Sequence, residues 1–123
     1  MTLWYKYTLT DRQTNGEATA RVVVPPDSPW FDGHFPEEPV LPGVAQLAMV
    51  HDLICRMHRQ SSPVLRLNRV RFKQMIRPDQ ELTLTVEACD KAGDHRFRIS
   101  DSNGLICSGM MVLAKKTRER TTL

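Results

Sequence analysis

The sequence predicts a two-layer α+β domain, a curved antiparallel sheet of about six strands wrapped around one long central helix. Three observations point there. Short segments with apolar and polar residues in alternation recur along the chain, the mark of half-buried strands. Asn15-Gly16 and Ser102-Asn103-Gly104 are tight-turn sequences of the kind that join antiparallel strands. Only the segment from Pro42 to about Arg59 carries apolar residues at helical spacing.

Each element has its own signal. Leu3 to Thr10 is rich in aromatic and β-branched residues and reads as a strand. Asp11 to Gly16 turns the chain, and Glu17 to Val24 is a second strand stopped by Pro25 and Pro26, which cannot donate to a ladder. Ser28 to Leu41 is an irregular loop stiffened by Pro29, Pro36 and Pro39. Pro42 suits the opening of a helix, where its missing N–H is not needed, and Ser61-Ser62-Pro63 ends it. Leu47, Val50, Leu53, Ile54 and Met57 share one helix face, with Val44, Ala45, Ala48, Met49 and Cys55 widening it. A helix apolar on most sides belongs in a core. Leu65 to Ile76 alternates, with Val70 and Phe72 on one side and Arg69, Arg71 and Lys73 on the other. Pro78-Asp79 turns into Glu81 to Ala88, with Leu82, Leu84, Val86 and Ala88 inward. His95 to Ser100, with Phe97 and Ile99 inward, and Leu105 to Ala114 complete the set. Residues 115–123 form a polar tail expected to fray. Two strands, a helix and four strands is the order of the hotdog fold.

Length and composition set the bounds. A chain of 123 residues with 41% hydrophobic and 25% charged residues is one globular domain, too short to carry a separate cofactor domain. The most apolar stretch, Val40 to Val50, is interrupted by Pro42, Gly43 and Gln46, so no membrane span and no secretory leader is expected. Three cysteines without a Cys-x-x-Cys pair fit reduced thiols in the cytoplasm.

The informative segment is Trp30-Phe31-Asp32-Gly33-His34-Phe35-Pro36-Glu37-Glu38-Pro39-Val40-Leu41-Pro42-Gly43-Val44-Ala45-Gln46-Leu47. It strongly resembles the Gly-His-Phe-Pro-x-x-Pro-x-x-Pro-Gly-Val segment of FabZ-type (3R)-hydroxyacyl-acyl-carrier-protein dehydratases. Val70-Arg71-Phe72-Lys73 and Arg77-Pro78-Asp79-Gln80-Glu81-Leu82 extend the resemblance. Pro-Gly-Val-Ala-Gln-Leu is nearer to the ApeI-like dehydratases of aryl polyene clusters. The resemblance implies removal of water from a 3-hydroxyacyl thioester to give the trans-2-enoyl thioester, in fatty-acid or aryl polyene/polyketide-type biosynthesis. It makes His34 the base and Gly43 the backbone donor to the thioester oxygen. Phe35, Val40, Leu41, Val44, Leu47 and Ala48 line the acyl site on this reading. Residue chemistry agrees. A proline-stiffened loop holds an imidazole in one orientation, and histidine titrates near neutral pH. A helix N-terminus offers free N–H groups and a positive dipole end to a developing oxyanion.

One departure matters. The family places Glu or Asp on the helix fourteen residues after the histidine, and here that position is Ala48. Three readings stay open. Asp52, one turn further on nearly the same face, is the acid, in which case Asp52→Asn costs at least tenfold in rate. Alternatively, the chain is a degenerate acyl-binding subunit of a heteromeric dehydratase. Or it lends His34 to a site whose acid comes from a second hotdog subunit. A thioesterase is a weaker alternative, since hotdog enzymes of that kind also use a helix carboxylate.

The charge is not uniform. Residues 56–77 hold seven basic side chains and no acidic one. Arg69, Arg71, Lys73 and Arg77 are therefore the expected docking site for an acidic acyl carrier protein bearing the acyl-phosphopantetheine thioester. No aromatic array interleaves these residues, so nucleic acid is not the expected partner. His51, Cys55 and His58 form one helix stripe but lack a fourth ligand, and no metal or other cofactor is implied. A homodimer, or a heterodimer with a second hotdog subunit, is expected.

Overall fold

A computed structural model describes residues 4–13, 16–31 and 39–114. Its elements run β1 (Lys6–Gln13), β2 (Glu17–Val23), a 3-10 turn (Pro29–Phe31), α1 (Gly43–His58), β3 (Val64–Phe72), β4 (Leu82–Ala88), β5 (Asp94–Asp101) and β6 (Gly104–Leu113). The strands form one antiparallel sheet in the order β1-β2-β4-β5-β6-β3, and α1 packs on one face. This is the expected α+β hotdog arrangement. The first strand begins three residues later than the sequence suggests. Asn15 and the tail 115–123 lie outside the described residues.

Alternation delivers the core. Ala18, Ala20, Val22, Leu82, Leu84, Val86, Phe97 and Ile99 point toward the helix and are buried. The helix meets them with Ala45, Met49, Val50, Leu53 and Ile54. Leu47 and Met57, expected in this core, are only half-buried, while Gln46 is buried. The reason is phase: a 16-residue helix has room for one stripe against the sheet, and the opposite stripe keeps Val44 and Ala48 exposed.

The two edge strands differ from expectation most at β3. It ends at Phe72 rather than Ile76, and it is mostly exposed. A bulge interrupts it: Asn68 pairs with Met110 and Arg71 with Ser108, so one extra residue stands on the β3 side, and Arg69 takes φ 55°. Strict alternation therefore fails here. Arg71 lies on the ladder, Arg69 sits in the bulge, and Lys73 follows the strand end, so the three do not form the single face expected of them.

Candidate active site at the N-terminal end of the helix

Pro42 caps α1 with extended backbone (ψ 153°) and accepts from the N–H groups of Ala45 and Gln46. No side chain caps the helix, and the first turn holds no acidic residue. No side chain of the first turn thus compensates the positive end of the dipole at Gly43. The loop exit is pinned: Leu41 N–H donates to Ile76 O at 2.8 Å, and both residues are buried. Phe72 closes one side. Its ring lies so near Gly43 that a Cβ there would sit 2.8 Å from Cζ, so only glycine permits this approach. Phe72 is half exposed and covers the helix start from β3. The reading of Gly43 as a backbone donor did not include Phe72, whose signal was the Arg-Phe-Lys strand.

The other sequence-predicted residues fall in different places. His34 and Phe35 lie outside the described residues. Leu41 is core, Val40 and Leu47 are half-buried, and Val44 is 80% exposed. Ala48 is exposed on the same outer stripe as Val44. Asp52 continues that stripe but is already engaged. It accepts hydrogen bonds from the Tyr5 hydroxyl and from Arg56 Nε at 3.0 Å. Arg56 in turn contacts the Tyr7 hydroxyl and lies over the Tyr7 ring, 4.2 Å from its centre. Burial, reinforced by the Asp52 carboxylate, holds the Tyr5 hydroxyl well above its ordinary titration range, so it stays protonated and donates. Tyr5 and Asp52 are 47 residues apart in sequence, and nothing local in the chain marks the cluster.

The predicted docking residues Arg69, Arg71, Lys73 and Arg77 are all exposed. Arg71 and Arg98 flank Ser108 in one cross-strand row, on the sheet face away from the helix. At the opposite end of α1 the His51–Cys55–His58 stripe is absorbed by the fold. His51 Nε2 lies 2.6 Å from Ser62 O, and His58 Nε2 lies 2.8 Å from Nε2 of the buried His95. A cavity of about 310 Å³ opens beside that pair, lined by Cys55, His58, Gly93, His95 and Leu113 among others. It is a full helix length from Gly43. Among the described residues no group of three or more His, Cys, Asp or Glu could hold a metal ion, and no helix is long and apolar enough to cross a membrane.

With this geometry in place, comparison with known proteins identifies the lineage. A model of the ApeI-like family, described as ApeI dehydratase, matches residues 10–110. The chain belongs to the ApeI-like dehydratase family. It is 34% identical to the 3-hydroxyacyl-[acyl-carrier-protein] dehydratase FabZ of Clostridioides difficile (strain 630), over 89% of this chain and 87% of that one. In structure it resembles the dehydratase heterocomplex ApeI:P from Xenorhabdus doucetiae, with TM-score 0.77 and 27% identity over 89% of this chain and 99% of that chain. A hypothetical thioesterase protein with coenzyme A from Streptococcus pneumoniae TIGR4 shares the fold alone, with TM-score 0.66 and 11% identity over 92% of this chain and 89% of that one.

Proposed function

We propose that this ApeI-like chain is the histidine-bearing subunit of a 3-hydroxyacyl thioester dehydratase whose acid is supplied by a second hotdog subunit. The observation that carries this reading is the state of the helix. Ala48 stands where the family places its acid, and the one carboxylate on the helix, Asp52, is held by Tyr5 and Arg56. The reaction divides accordingly. The His34 imidazole removes a proton from the carbon beside the thioester. The N–H groups at Gly43, on the positive end of α1, stabilise the charge that develops on the thioester oxygen. The partner's acid protonates the C3 hydroxyl, the C–O bond breaks, and water leaves as the double bond forms.

The sheet edge supports this reading. Among the described strands β3 is an edge, and its outer backbone groups are a template for another strand. Leu65 (65% exposed) and Phe72 (49%) expose apolar area along β3, and Val44 (80%) adds more next to Gly43. The acyl chain would then run between subunits, past Val40, Val44, Leu47 and Phe35. The relatives' carrier-protein substrates and the ApeI:P heterocomplex support the same reading, with the exposed arginines at 69, 71 and 77 and Lys73 guiding an acidic acyl carrier protein.

The test is reconstitution. The purified chain is assayed for hydration of crotonyl-pantetheine alone and mixed with a hotdog dehydratase subunit that carries a helix acid but has its own histidine replaced by alanine. Activity is expected only in the mixture and is expected to vanish with His34→Ala in this chain. A mixture as active with His34→Ala as with the unmodified chain would sink the proposal.

A further inference from the structure

Phe72 is the last residue of β3, and the sheet holds its backbone. It pairs in register with Cys107, and the next residue, Lys73, donates its N–H to Ile106 O at 2.7 Å. Both partners are buried. The side chain turns to the helix face, because Arg71 before it lies in the outer row with Ser108 and Arg98. There the ring meets Gly43 end-on. The Cβ that Gly43 lacks would stand 2.8 Å from Cζ and 3.1 and 3.2 Å from the two Cε atoms. Toward Gly43 the ring therefore has no further room. The core gives it no second anchor: Phe97 and Phe31 are buried in the continuous apolar cluster, whereas half of Phe72 is exposed. With its backbone held and Gly43 against its tip, the ring can yield only by rotating outward.

The donors beside it are open. Ala45 and Gln46 N–H are taken up by Pro42 O, which leaves the N–H groups of Gly43 and Val44 to another acceptor. Val44, the next residue, is exposed and walls nothing.

We propose that Phe72 is a specificity-determining residue: its ring is the wall beside the helix start, and it admits acyl thioesters unbranched at the carbon next to the carbonyl while excluding those with a substituent there. This rests on the dehydratase reading above. With the thioester oxygen on the donors of the first turn, the carbon next to the carbonyl lies at the ring. A planar enoyl or a CH2 group passes. A methyl substituent needs space that the ring fills, and the ring must leave its contact with Gly43 to provide it.

The test compares two substrates across three chains. In the reconstituted complex, hydration of crotonyl-pantetheine and of 2-methylcrotonyl-pantetheine is measured with the unmodified chain, Phe72→Leu and Phe72→Ala. The intrinsic reactivities of the two substrates cancel when the ratio of their kcat/KM values is compared between chains. That ratio is expected to fall about tenfold or more in Phe72→Ala, in favour of the branched substrate, and by an intermediate amount in Phe72→Leu. Phe72→Leu keeps an apolar residue on the strand and carries the test if Phe72→Ala does not fold. A second readout needs no turnover. Butyryl- and 2-methylbutyryl-pantetheine, which cannot be hydrated, are titrated calorimetrically into each complex, and the preference for the unbranched thioester is expected to shrink in the same order. A ratio unchanged within about twofold in every folded variant would overturn the proposal, as would equal losses for both substrates. If the unmodified complex hydrates neither substrate, the functional reading fails, and the titrations decide: a preference for butyryl that Phe72→Ala or Phe72→Leu relaxes keeps Phe72 as the wall, and no binding or no change in preference removes it.

Discussion

At its C-terminal end α1 is closed by the chain itself. Arg59 enters the left-handed region at φ 57° and its N–H caps Arg56 O, Gln60 N–H caps Cys55 O, and His58 meets the buried His95 across the sheet. Among the described residues the N-terminal end has no such closure. Pro42 offers no side-chain cap, the first turn holds no carboxylate, and Phe72 leans over Gly43 with half its surface exposed. Both ends contain a glycine pressed against a neighbour, but the neighbours differ. At Gly93, beside His95, an added Cβ would stand 2.4 Å from the Leu113 backbone oxygen, whereas at Gly43 it would meet the tip of an aromatic side chain. One end is closed by backbone and buried side chains, and the other keeps a half-exposed aromatic ring over a glycine.

That contrast breaks most sharply at Gly93. Its φ of 89° excludes side chains, and its carbonyl accepts from Leu113 N–H and from His95 Nδ1. Gly93→Ala adds backbone strain to a collision with a backbone atom that cannot swing away. A loss of about 2–4 kcal/mol is expected, or about 10 °C or more in melting temperature. A thermal melt within about 2 °C of the unmodified protein would contradict it.

At the open end the balance reverses. Gly43→Ala gains helix propensity, roughly 0.5–1 kcal/mol, and the Phe72 ring can rotate out of the way. The melting temperature should hold, while on the proposed function a methyl group at the helix start and a displaced Phe72 would obstruct a bound thioester. Dehydratase activity of the complex is expected to fall at least about tenfold. Equal loss of stability and activity would show that Gly43 serves the fold instead.

How much of this was legible in the sequence follows the range of the interactions. Alternation in Glu81 to Ala88 and the Pro42-Gly43 junction are local patterns, and they located β4 and the helix start, while the motif around His34 names the candidate site. The bulge in β3 left no mark because a non-glycine residue, Arg69, occupies the left-handed position. Tyr5 with Asp52 and His58 with His95 are pairs 47 and 37 residues apart, brought together only by the fold. The exposed stripe at Val44 and Ala48 was read as core because apolar spacing does not say which body covers a face.

The closed end also predicts a pH dependence. Burial lowers the His95 pKa, aided by the charge of His58 and opposed by the hydrogen bond to Gly93 O. The unfolded chain therefore takes up this proton near the ordinary value of 6.5, and the folded chain only at lower pH. Unfolding binds protons in that window, so the stabilisation is present above pH 6.5 and is lost as the pH falls below it. Calorimetry at pH 7.5, 6 and 5 should show a falling melting temperature, and His95→Gln should flatten the curve. An unmodified protein equally stable at pH 5 and 7.5 would rule out a neutral buried His95.

The smallest expected effect sharpens the comparison from the same end. Arg59 holds φ 57° without the freedom of glycine, and its side chain is exposed. The left-handed conformation costs an ordinary residue about 1 kcal/mol, part of which glycine returns by its greater freedom in the unfolded chain. Arg59→Gly is therefore expected to stabilise by about 0.5–1 kcal/mol, seen as a rise of about 2–5 °C in the thermal midpoint. Activity should not change, because the helix C-terminus lies a helix length, about 24 Å, from Gly43. A gain in stability that also altered kcat would mean that the two ends of α1 are coupled through the helix, and the division of labour between them would have to be abandoned.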